Sequence, residues 1–169
     1  MPKRQGFPIL TLTEGKIIYN IIKKKLFFPS HIAGSIRRKE KYINDIDIII
    51  IPGNKNIEDL MYSIFEKIER FGDQIITGIY RYKDMKVLID FFITTRSELP
   101  YSLLQWTGPK TYNIRIRRYV KDKYNWLLNQ HGIFYASTSR RVIGSEKIKT
   151  EKDLVKFIGT TYYLPQERQ

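Results

Sequence analysis

The stretch INDIDIIII, residues 43–51, constrains this chain more than any other. Isoleucine is β-branched and favours a pleated, half-buried strand, and the run closes on Pro52-Gly53, a turn signal. As a strand over 45–51 it sends Ile46, Ile48 and Ile50 to one face. Asp45 and Asp47 share the other, with Cα atoms roughly 6.5 Å apart. Asp is depleted in strands, and an ionised carboxylate in an apolar setting is costly unless something neutralises it. Either the fold carries a defect here, or the charges hold something.

A third carboxylate, Asp90, lies in the equally apolar run MKVLIDFFI. If that run pairs beside residues 45–51, about 4.8 Å away, all three acids converge. Three anions at such range repel, and either raise each other's pKa or demand a cation. Oxygen-only donors select a hard ion, Mg²⁺ or Mn²⁺, over zinc. A lone D-x-D is weak evidence, since exposed strand ends, calcium loops and sugar-transfer enzymes also carry it. Gly34-Ser35 adds to it. It follows a short strand candidate, residues 31–33, and opens a helical turn where backbone N–H groups can cradle phosphate. Arg38, three residues after Ser35, lies on the same face of that turn and can fork onto phosphate oxygens. An ordinary turn and a solvated basic surface are the plain alternatives. Cradle and carboxylates together point to a nucleoside triphosphate.

The remaining pattern is α+β. Thr11 and Glu14 form a capping box for an amphipathic helix over 12–26. Asn56 caps a second helix whose apolar face runs Ile57, Leu60, Met61, Ile64, Phe65 and Ile68, with Gly72 as its stop. QIITGIYRY and MKVLIDFFI, joined by Lys83-Asp84, form a hairpin. The expectation is a mixed sheet with helices on one face. Beyond residue 96 Ser97 caps a short helix through Leu104. Thr107-Gly108-Pro109 breaks the chain, and the next helix carries Tyr112, Ile116 and Tyr119 on one side. WLL and IFYAS flank a second, smaller hairpin, and Thr150 caps a last helix bearing Leu154, Val155 and Ile158. Two subdomains are expected, 1–96 and 97–169.

Charge and cysteine usage narrow the partners. Lys and Arg number 30 against 17 Asp and Glu, a net charge of +13, which suggests a polyanion. No apolar run approaches a spanning helix, so no membrane is expected. MPKRQGFPIL has basic residues but no long apolar core, so no secretory signal is expected. Cysteine is absent, which excludes disulfides and thiolate metal sites and fits an intracellular setting.

Gly34-Ser35, Arg37-Arg38, Asp45-x-Asp47 and a third Asp on a later strand resemble the palm of the family X DNA polymerases, the relatives of DNA polymerase beta. WTGPKTYNIRIRR, residues 106–118, is similar to that family's aromatic-Thr-Gly turn and following helix. The resemblance implies a nucleotidyltransferase palm plus a small C-terminal α+β subdomain. It implies template-directed addition of dNTPs to a primer 3′-hydroxyl by two Mg²⁺ ions, with Mn²⁺ able to substitute. Asp45, Asp47 and Asp90 would hold both metals. Gly34, Ser35, Arg38, Asn44, Trp106, Thr107, Gly108 and Asn113 would contact the nucleotide. Lys39, Lys41, Arg115, Arg117, Arg118 and Lys121 would contact DNA, a gapped or primed duplex, and the protein would act as a monomer. Only 33 residues precede Gly34, too few for the lyase domain of larger relatives, so no lyase activity is implied. Gln105-Trp106, Asn44 and Leu88 depart from the usual residues. A template-independent tailing or adenylylating enzyme and a non-catalytic nucleic-acid-binding protein remain the alternatives.

Overall fold

The computed structural model describes residues 6–168; residues 1–5 and 169 lie outside it. The chain divides after Thr94 into two compact units.

The first unit opens with β1 (Leu10–Thr11) and α1 (Leu12–Lys25), and Thr11 and Glu14 make the expected capping box. Then come β2 (Ser30–Ile32), α2 (Gly34–Arg37), β3 (Tyr42–Ile43), β4 (Ile46–Ile50) and α3 (Glu58–Ile64). The unit ends with β5 (Lys67–Phe71), β6 (Ile75–Tyr82) and β7 (Met85–Ile93). Five strands form one mixed sheet in the order β2-β4-β7-β6-β5, with β4 parallel to β7 and the other neighbours antiparallel. The pleat sorts side chains by parity. Ile46, Ile48, Ile50, Val87, Ile89, Phe91 and Ile76 share a core with Ile18 and Ile22 of α1 and Met61 and Ile64 of α3. The helices therefore cover this face, and Asp47, Asp90 and Thr77 fall on the opposite one.

Two expectations for this unit fail. The second helix does not run to Gly72: it stops at Ile64, and residues 67–71 are β5. Helical and strand periods both place Ile64 and Ile68 on one face. The open edge of β6 decides between them, because its backbone groups need partners. Glu66 N–H donates to the Ile79 carbonyl at 2.8 Å, and Ile68 pairs with Gly78. Phe65 packs where Gly78 lacks a side chain, since a Cβ there would sit 2.3 Å from the ring. Gly72 serves the β5–β6 turn instead, donating to the Ile75 carbonyl at 3.1 Å. The expected strand over 45–51 also contracts to Ile46–Ile50, leaving Asn44 and Asp45 in the bend before it.

The second unit contains α4 (Leu99–Thr107), α5 (Lys110–Tyr124), β8 (Trp126–Asn129), β9 (Gly132–Tyr135) and α6 (Glu151–Phe157). Its core gathers Tyr101, Leu104, Tyr112, Ile116, Val120, Leu128, Ile133 and Leu154. Thr150 caps α6, with Asp153 completing the box. Ser97 does not cap α4. Thr95 takes that place in the turn before it: its Oγ1 accepts from Glu98 N–H at 3.3 Å, and Glu98 Oε2 accepts from the Thr95 hydroxyl at 3.0 Å. Among the described residues no helix is long and apolar enough to cross a membrane.

Candidate active site

In the first unit the site is built by strand register. Asp47 of β4 lies directly opposite Asp90 of β7, and Asp90 directly opposite Thr77 of β6. These three residues make one row across three adjacent strands on the face away from the helices. Asp90 is 6% exposed and Asp47 is half-buried. The Thr77 hydroxyl donates to Asp90 Oδ1. Asp45 stands just outside the row, half-buried in the bend that feeds β4. Among the described residues, no three acidic or imidazole side chains are gathered closely enough to hold a metal ion. Strand pairing thus brings two of the three acids together, and Asp45 stays outside that pair.

The Gly-Ser turn meets the same carboxylates. Ala33 N–H donates to the Asp47 carbonyl at 2.9 Å, and α2 starts at once with Gly34. Gly34 has φ +53°, and a Cβ there would lie 1.7 Å from Asp47 Oδ2. Only glycine lets the backbone approach that closely. Ser35 Oγ is buried without a hydrogen-bond partner, an orphaned polar atom that calls for a ligand. Burial first, then the nearby Arg37 and Lys23, push the His31 imidazole below its usual range. Two adjacent carboxylates, a bare Gly backbone and an unsatisfied hydroxyl fit a divalent cation and a phosphate.

The expected basic contacts are placed unevenly. Arg38 ends α2, but its guanidinium is turned to Glu40, with Nε donating to Oε1 at 2.8 Å. Lys39 is exposed with φ +58°, and the Lys41 ammonium lies 5.2 Å from the Tyr42 ring centroid.

The second unit organises its candidates around Gln105, which the sequence did not single out for that role. Its backbone carbonyl accepts from Asn113 Nδ2 at 2.7 Å, and its Oε1 accepts from Arg117 Nη2. Asn113 and Arg117, one helical turn apart on α5, are thereby fixed against α4. Asn113 Oδ1 is buried with no hydrogen-bond partner, and burial lowers the basicity of the half-buried Arg117. Thr107 is fully buried, Trp106 half-buried, and Gly108 has φ +67°. Arg115, Arg118 and Lys121 are exposed on α5. Thr77 was also missed; its signal is a hydroxyl in an apolar strand, and only the register reveals what it faces.

A family model described as DNA polymerase beta thumb matches residues 102–169. Repair DNA polymerase X of African swine fever virus (isolate Warthog/Namibia/Wart80/1980) is 35% identical over 178 aligned residues, covering 95% of this chain and 99% of that protein. DNA polymerase lambda of Arabidopsis thaliana is 27% identical, covering 80% of this chain and 31% of that protein. Leishmania infantum polymerase beta, solved as a ternary P/T complex, shares the fold with a TM-score of 0.79 at 19% identity, covering 96% of this chain and 77% of that one.

Proposed function

The chain belongs to DNA polymerase family X and is a DNA-directed DNA polymerase, and from that premise we propose that it fills short gaps in DNA during repair by metal-assisted nucleotidyl transfer. The observation that carries this reading is the pairing of Asp47 with Asp90 under the Gly34 turn. Asp47 and Asp90, with Asp45 from the adjoining bend, would hold two divalent cations, Mg²⁺ or Mn²⁺ in its place. When bound, the ions supply charge neutralisation on the phosphates and a more acidic primer hydroxyl. Asp90 would face the primer 3′-hydroxyl. The Gly34 backbone and the Ser35 hydroxyl would bind the triphosphate, joined by Arg38 once its guanidinium leaves Glu40. Asn44 would line the same pocket. In the second unit Trp106, Thr107, Gly108 and Asn113 would contact sugar and base, and Arg117, held by Gln105, the template side. Lys39, Lys41, Arg115, Arg118 and Lys121 would contact DNA phosphates, where affinity falls steeply with salt. The working form would be a monomer on a gapped or primed duplex.

The test is a one-nucleotide gap offered with each dNTP separately, with and without Mg²⁺. Only the dNTP complementary to the template base is expected to enter, and chelation should stop it. Equal entry of all four would mean a template-independent transferase. No incorporation with either ion would leave a nucleic-acid-binding protein.

Gly34→Ala is the sharpest probe of the turn. The new methyl would occupy the place of the Asp47 carboxylate and force an unfavourable φ. Incorporation is expected to fall by at least about 10²-fold, as when one preorganised electrostatic group is lost. Wild-type single-turnover rates for this variant would show that close approach of Gly34 is not needed.

A further inference from the structure

We propose that Thr77 is a positioning residue for Asp90: its hydroxyl, donating to Asp90 Oδ1, fixes the carboxylate in the orientation that cation binding requires. The inference rests on the reading of Asp90 as a metal ligand. The two residues are register partners in the antiparallel β6–β7 pair, so their side chains stand side by side on one face. An ionised carboxylate only accepts, so the hydroxyl must be the donor. The surroundings make that donor matter. On the same face Asp90 is flanked along β7 by Leu88, 3% exposed, and Phe92, 6% exposed. Thr77 is flanked along β6 by Ile75 and Ile79. A carboxylate between apolar neighbours needs a hydrogen bond from the sheet itself, and a β-branched residue in a strand has few χ1 rotamers with which to swing away.

Asp47 makes the constraint more than structural. It sits opposite Asp90 on the other side, and two like charges there push apart. The Thr77 hydroxyl acts against that repulsion. It holds one of the Asp90 oxygens on the β6 side and so fixes the carboxylate plane beside Asp47. Orienting partners of metal ligands typically act on this scale, about 10–100-fold in metal affinity or activity.

The test compares Thr77→Val, Thr77→Ser and Asp90→Asn. Mn²⁺ binding to the free protein is followed by electron spin resonance of unbound Mn²⁺, and kcat and KM are measured on a one-nucleotide gap. Thr77→Val keeps the branched shape, and it is expected to stay folded, as a cooperative thermal melt would show. It should bind Mn²⁺ about 10-fold or more weakly and lose a comparable factor in kcat with KM for the dNTP unchanged. Thr77→Ser, which restores the hydroxyl, should recover both. If Thr77→Val matches wild type in Mn²⁺ binding and kcat while Asp90→Asn is inactive, the positioning role is overturned and the catalytic reading stands. Failure of Thr77→Ser to recover either quantity also overturns it. If Asp90→Asn is itself fully active, the reading of Asp90 falls and the role of Thr77 with it.

Discussion

Asp90→Asn is expected to cut nucleotide incorporation by about 10³-fold or more, at the upper end of what loss of one preorganised electrostatic group costs, while leaving affinity for gapped DNA unchanged. Asn has the same shape and can still accept from the Thr77 hydroxyl through Oδ1. It cannot offer a negative oxygen to a cation, so the substitution separates charge from packing. The second half of the expectation concerns stability. Asp47 and Asp90 are cross-strand neighbours, and like charges directly opposite destabilise a sheet. In chelator, with no divalent cation bound, the Asn variant should melt at the same temperature as wild type or above it. Single-turnover extension, fluorescence anisotropy on gapped DNA and a thermal melt in chelator check the three parts. A variant that loses DNA binding along with incorporation would mean that Asp90 supports the fold rather than the chemistry.

Arg168→Met is expected to destabilise the C-terminal unit by about 3–5 kcal/mol, the cost of removing one member of a buried ion pair. Arg168 Nη2 lies 2.7 Å from Glu151 Oε1, with the side chains 0% and 4% exposed. The guanidinium also sits 5.1 Å from the Tyr112 ring centroid and donates to the Tyr163 carbonyl. It thus ties the end of the chain to α6 and α5 at once. Met fills much of the volume but removes the guanidinium that pairs with buried Glu151. The double variant Arg168→Met with Glu151→Leu removes both charges and is expected to recover most of the loss. Urea unfolding of the two variants reads the difference. Because Tyr112 immediately precedes Asn113 on α5, the single variant should also lose incorporation in proportion to the unfolded fraction. Equal stability of the single and double variants would show that Glu151 is not left uncompensated.

Much of the framework could be read from the residues. Thr11 with Glu14 and Thr150 with Asp153 are local signals, each complete within four residues, and both helices start where those signals lie. Lys83-Asp84 marks the hairpin for the same reason, with Lys83 at φ +53°. Residues 64–72 misled because their apolar spacing suits both periods, and the edge of a distant strand made the choice. Ser97 misled because Thr95, two residues earlier, makes the stronger reciprocal pair with Glu98. Asp45 belongs to a bend that shortens a strand whose isoleucines gave no sign of where pairing begins.

The order of residues alone determined the alternation of apolar and acidic positions, hence which side chains of each strand share a face, along with the caps and the cationic excess. Those depend on covalent geometry, near neighbours and a simple count of charges. Tertiary structure decided that Asp47 meets Asp90, that Thr77 meets it from the other side, and that Arg168 reaches Glu151. Such partners are set by strand register and chain closure over tens of residues, where backbone pairing and burial of a common core choose among alignments that local preference leaves equal.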